Sequence, residues 1–78
     1  MAIDAALIRD RIIAALPDAR VEVQDMTGGG DHWSAHVVSE AFAGKGLVDR
    51  HRLVYAALGS LMRQEIHALA LTTITPSE

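Results

Sequence analysis

Hydrophobic positions in the first sixteen residues recur with the period of a helix. Ile8, Ile12 and Leu16 fall at i, i+4 and i+8, with Leu7 and Ala15 beside them, while Arg9, Asp10 and Arg11 lie mostly elsewhere. The spacing predicts a helix over Ile3–Leu16. Asp4 can cap it, and Pro17 ends it, because the residue before a proline avoids helical geometry. From Arg20 to Asp25 the period shortens to two. Val21 and Val23 share one side and Glu22 and Gln24 the other, the pattern of a half-buried strand. A second alternating run, His32 to Ser39, puts Trp33, Ala35 and Val37 on one face and His32, Ser34, His36 and Val38 on the other. Thr27-Gly28-Gly29-Gly30-Asp31 between them is a flexible loop, so the two strands read as a hairpin with a long tip.

Ala43-Gly44-Lys45-Gly46 is a turn. Beyond it Leu47, His51, Val54, Leu58 and Leu61 form one apolar stripe, which predicts a second helix from Leu47 to about Leu61. Gly59 weakens its last turn, so a short extra helix can split off there. Ile66 to Ile74 is apolar and β-branched, a third strand closed by Pro76. The order α-β-β-α-(α)-β describes a single small α+β domain over residues 1–78, with helices on one face of a three-stranded sheet. The helical crossover between the second and third strands makes that sheet mixed.

Composition narrows the function. Seventy-eight residues, half of them hydrophobic, bury a small core and leave little room for a deep substrate cavity. There is no cysteine, so the chain alone can hold no disulfide, Cys-based zinc site, Cys nucleophile or iron–sulfur cluster. Ten acids against seven bases give a net charge of −3, the wrong sign for a general nucleic-acid binder. No apolar run approaches a membrane span, and the N-terminus lacks the basic start of a signal peptide. A soluble chain in the cytoplasm is expected.

Four histidines are the conspicuous reactive groups. His51 lies within the apolar stripe of the second helix and reads first as a partly buried structural residue. Its neighbours Arg50 and Arg52, with Lys45, form the one basic cluster, either a solvated helix face or a surface for an acidic partner or phosphates. His32 and His36 make an H-x-x-x-H pair that would share a metal on a helix. On a strand they stand roughly 13 Å apart, too far for one ion. His32, at the loop–strand junction, and His67, opening the third strand, could meet in space; on spacing alone they read as two unrelated surface histidines. Glu65 is near His67 only by proximity. The glycine loop is no Walker loop, no G-x-S-x-G occurs, and no enzyme is expected.

The residues Val38-Ser39, Phe42, Gly44, Val48, Arg50-His51-Arg52-Leu53-Val54-Tyr55 and Leu58, followed by Ile66-His67-Ala68-Leu69, Thr73 and Pro76, resemble the BolA family in order and spacing. Asp31-His32-Trp33 fits that resemblance, which spans almost the whole chain. It implies an α-β-β-α-(α)-β fold similar to type II KH domains. It also implies a partner: BolA-like proteins pair with monothiol glutaredoxins and share a [2Fe–2S] cluster with them. By that likeness His67 and His32 match the family's two cluster ligands, while the glutaredoxin and glutathione supply thiolates. Two imidazoles on one iron have a precedent in Rieske centres, and such ligation is pH-sensitive because the imidazoles must be deprotonated. Lys45, Arg50, His51 and Arg52 are then the candidate partner-binding residues.

The resemblance carries an alternative, a KH-like nucleic-acid-binding transcriptional regulator. Longer family members continue past the point where this chain stops, at Pro76-Ser77-Glu78, and its charge is negative; both turn the expectation away from DNA. Gly44-x-Gly46 has the wrong spacing for a KH loop, and Trp33, Phe42 and Tyr55 are too few for a stacking platform. The sequence leaves the free protein open between monomer and homodimer.

Overall fold

The computed structural model describes residues 4–29, 32–64, 66 and 68–76, without the side chains of residues 63 and 64. Helix α1 spans Ala5–Ala15. Strands β1 (Arg20–Asp25) and β2 (His32–Val38) follow. A 3-10 turn at Glu40–Phe42 leads into α2 (Leu47–Leu58), the short α3 (Leu61–Gln64) and β3 (Ala68–Ile74). Asp4 caps α1 as expected, its Oδ1 accepting from Leu7 N at 2.8 Å, which satisfies one of the open N–H groups of the first turn.

The sheet order is β1-β2-β3. β1 and β2 are antiparallel, with Glu22 opposite His36; β2 and β3 are parallel, with His32 opposite Ala68 and Val38 opposite Ile74. The mixed sheet follows from connectivity: a tight hairpin reverses the chain, whereas a helical crossover returns it in the same direction. Trp33, Ala35 and Val37 lie buried on the helix-facing side of β2, against Ile8, Ile12 and Leu16 of the first helical segment and Val54 and Leu58 of α2. Their neighbours in sequence, His32 and His36, are exposed on the other side. Both helices therefore serve one face, and the second face of the sheet is open.

The structure corrects two expectations. Leu47 is not part of the buried stripe but 66 % exposed. The 3.6-residue period fixes which side of a helix faces inward, not how far the opposing layer extends, and the first turn of α2 projects past it. Ala15 is exposed as well, whereas Leu7, the other residue beside the α1 stripe, is half-buried against the core. The break expected at Gly59 is present: α2 ends at Leu58, Gly59 takes φ +56° and ψ −126° with its N–H bonded to the Tyr55 carbonyl, and Leu61 packs into the core from α3. The sequence pattern assigns no element between Ser39 and the Gly44 turn. Ser39 caps a 3-10 turn that carries Phe42 into full burial.

Candidate functional site

The end of the sheet that holds His32 is built from the β1–β2 loop, the start of β2 and the start of β3. The loop is organised by its own side chains. Asp25 Oδ1 accepts from Thr27 N at 3.2 Å and Gly28 N at 2.9 Å, and Thr27 Oγ1 accepts from Gly29 N at 3.2 Å. Gly28 sits at φ +77°, a conformation L side chains rarely adopt. Met26 N donates to the His32 carbonyl at 2.8 Å, carrying the antiparallel ladder one pair beyond β1. His32 emerges exposed at the first position of β2.

The parallel register then decides what lies beside it. His32 is the Cα partner of Ala68, the covalent neighbour of His67. His67 and Glu65 lie outside the described residues, as do Gly30 and Asp31. His36 is exposed on the same open face as His32, four residues along β2, and strand geometry holds them about 13 Å apart. Among the described residues no group of three or more His, Asp or Glu gathers as a metal site.

The basic cluster stands at the start of α2. Arg50 Nε donates to the Lys45 carbonyl at 2.8 Å, tying the helix to the turn before it. Arg52 leans towards Asp49 one turn back at 3.9 Å, with both side chains open to water; such a contact contributes about 0–1 kcal/mol. His51 is half-buried, as Arg50 is, while Arg52 is exposed. Its ring meets Tyr55 edge-on, centroids 6.1 Å apart, and its buried Nε2 has no hydrogen-bond partner. Sequence reasoning missed the apolar flank of this cluster: Leu47 and Val48 are 66 % and 63 % exposed. The helical period carries no signal for this, because it does not show where the opposing layer stops.

A third group of polar residues closes the opposite end of the sheet. Buried Ser39 donates from Oγ to Asp18 Oδ1 at 2.7 Å, and Glu40 N donates to Asp18 Oδ2 at 2.9 Å. These bonds, the Ser39 hydroxyl first and the Glu40 amide second, hold the Asp18 carboxyl below its ordinary value of 3.8. Ser39 N also donates to the Ile74 carbonyl at 3.0 Å.

The model of BolA-like proteins matches residues 12–78. The chain belongs to the BolA-like family. It is 33% identical over 86 residues to SufE-like protein 1, chloroplastic/mitochondrial, of Arabidopsis thaliana, covering 91% of this chain but 23% of that protein. Protein BOLA2 of the same plant is 46% identical over 61 residues, covering 77% of this chain and 64% of the relative. The DNA-binding transcriptional regulator BolA of Escherichia coli is 32% identical over 78 residues, covering 91% and 74%. The BolA-like chain thus spans less than two thirds of the first two of these relatives. Its fold matches the solved structure of BolA1 from Arabidopsis thaliana with a TM-score of 0.87 at 30% identity, over 100% of this chain and 98% of the other. The small α+β fold with helices over a three-stranded mixed sheet is the BolA architecture. No helix among the described residues is long and apolar enough to cross a membrane.

Proposed function

We propose that this BolA-like protein is a non-enzymatic adaptor of the cytoplasm that pairs with a monothiol glutaredoxin and, with glutathione, shares a [2Fe–2S] cluster, serving cluster trafficking or iron-linked regulation. The observation that carries the reading is the β2–β3 register. It sets His32 opposite the residue bonded to His67, in a chain whose family resemblance assigns cluster ligation to those two positions. The donor set fits a shared cluster better than a resident one. Without cysteine the chain offers imidazoles only, and thiolates must come from elsewhere. When bound, the cluster would supply an iron centre held through two neutral nitrogens, which raises its potential relative to all-thiolate ligation.

The chain's own contribution is placement. His32 stands on the first residue of a strand, which restricts where its ring can go, and the glycine-rich loop before it can adjust to a partner at an ordering cost. Lys45, Arg50 and Arg52 offer positive charge for the acidic groups of glutathione or the glutaredoxin, and Leu47 and Val48 offer apolar surface beside it. Charge reversal at Arg50 and Arg52 that left glutaredoxin affinity unchanged would remove this docking role.

The test reconstitutes the cluster anaerobically on a monothiol glutaredoxin with glutathione and follows visible circular dichroism as this protein is added. A new mixed-complex spectrum is expected, lost in His67→Ala and altered in His32→Ala. A spectrum that stays that of the glutaredoxin alone ends the adaptor reading. DNA binding, the activity in the name of the Escherichia coli relative, is then assayed by its salt dependence.

A further inference from the structure

The two edges of the sheet can be read atom by atom from two hydrogen bonds. Met26 N bonds to the His32 carbonyl. The even-numbered residues of β1 therefore turn their backbone groups to β2, and Val21 and Val23 turn theirs outward. Ser39 N bonds to the Ile74 carbonyl. Ala68, Ala70, Thr72 and Ile74 therefore face β2 through the backbone, while Leu69, Leu71 and Thr73 present N–H and C=O groups along the outer edge of β3.

The edges differ in protection. β1 carries Arg20, Glu22 and Asp25, and α1 packs along it, with Ala5, Ala6 and Arg9 facing Val21 and Val23 across a groove. Charge and cover of this kind are the usual guards against strand addition. β3 reads Ala-Leu-Ala-Leu-Thr-Thr-Ile, with no charge and no proline. Its register with β2 runs unbroken from Ala68 to Ile74, so no bulge turns it aside, and no other described strand lies beyond it.

We propose that the outer edge of β3 is a self-pairing site, where a second copy of this chain adds its own β3 antiparallel about a two-fold axis at Leu71, joining two sheets into one of six strands. The strand is self-complementary in that register. Leu71 pairs with its own copy and Leu69 with Thr73, the outward-facing residues on both sides, giving about six backbone hydrogen bonds. On the open face Ala70 stands opposite Thr72 and Ala68 opposite Ile74. Ile74 is 37 % exposed, and the copy's small Ala68 gives it an apolar surface to cover. No charged side chain opposes another, so the two-fold arrangement carries no like-charge penalty. An isologous contact of this kind closes at two copies rather than running on into fibres.

Paired variants on exposed positions test the register rather than the fold. A70K/T72K puts lysines opposite lysines across the axis twice; A70K/T72E puts lysine opposite glutamate twice. Both sets alter the same two exposed side chains, and thermal melts at dilution check that both fold. Sedimentation equilibrium over a concentration series should show wild-type dimer. The dissociation constant should rise at least about tenfold in A70K/T72K and return to within about threefold of wild type in A70K/T72E. Amide exchange should slow with protein concentration at Leu69, Leu71 and Thr73 and not at Val21 and Val23. A monomer at every concentration, open-ended aggregates, or a dimer that both variants weaken equally would each overturn the proposal.

Discussion

At one end of the sheet Ser39 is buried and bonded to Asp18, a partner 21 residues earlier in the chain. At the other, His32 is exposed and follows a loop whose side-chain bonds join residues two or three apart. The first end ties α1's exit, β2's exit and β3's exit into one knot, since Ser39 N also reaches the Ile74 carbonyl. The second is held by local turns and by the ladder. Long-range bonds at a buried position contribute to global stability, because breaking them leaves polar groups without water. Local bonds at an exposed loop can break and re-form without unfolding the rest. The division is compatible with the adaptor role proposed above: the Ser39 end fixes the fold, and the His32 end can yield to a partner.

The largest blow to this division should come from Phe42→Ala. Phe42 heads the fully buried side chains and is carried inward by the 3-10 turn that Ser39 caps. Removing a buried aromatic ring costs about 3–5 kcal/mol, close to the whole stability of a small domain. Urea denaturation should show a chain largely unfolded near room temperature. A loss below about 1 kcal/mol would mean that this end is not what holds the fold.

Ser39→Ala comes next. It removes the hydroxyl that donates to Asp18 and that accepts from Ala41 N at 3.1 Å. A loss of about 1–3 kcal/mol is expected. It should also flatten the acid limb of the stability curve. Asp18 is held below 3.8 in the folded chain, so its contribution is fully present above that value and is lost as pH falls through the lower folded value. Stability measured from neutral pH into acid should fall in wild type and fall less in both Ser39→Ala and Asp18→Asn. Equal acid slopes in all three would remove Asp18 from the account.

These two residues also mark the limit of what the sequence discloses. Alternation placed Trp33, Ala35 and Val37 in the core and His32 and His36 outside it, because a strand's side-chain period is a local property. Ile8, Ile12 and Leu16 were equally legible. The Asp18–Ser39 pair was not, since no spacing rule links residues 21 apart; nor was Leu47's exposure, which depends on where the opposing layer stops. His32 was legible as a junction residue, but its register against Ala68 exists only once the crossover through α2 and α3 has closed. The burial of Phe42 leaves no mark in the hydrophobic pattern, since a 3-10 turn is too short to show a period.

At the His32 end effects should shrink. Gly28→Ala places a Cβ where nothing lies within 4 Å, so its cost is conformational only. A side chain at φ +77° costs about 1–2 kcal/mol, and part of that can be relieved by local rearrangement of a loop open to water. The expected result is a small drop in melting temperature with faster amide exchange confined to the loop. A change in exchange at Ser39 or Ile74 would show that the two ends are coupled.

His32→Ala should change stability least of all. The side chain is exposed at the start of β2, and substitutions of that kind alter stability by no more than about 0.5 kcal/mol. Its denaturation curve should therefore overlie that of the wild type, while the mixed-complex spectrum with glutaredoxin and glutathione changes. That separation is the sharpest use of the comparison between the ends, because a residue kept for packing loses stability and function together. If His32→Ala unfolded at clearly lower urea, the spectral change could be assigned to a damaged fold, and His32 would pass from candidate ligand to structural residue.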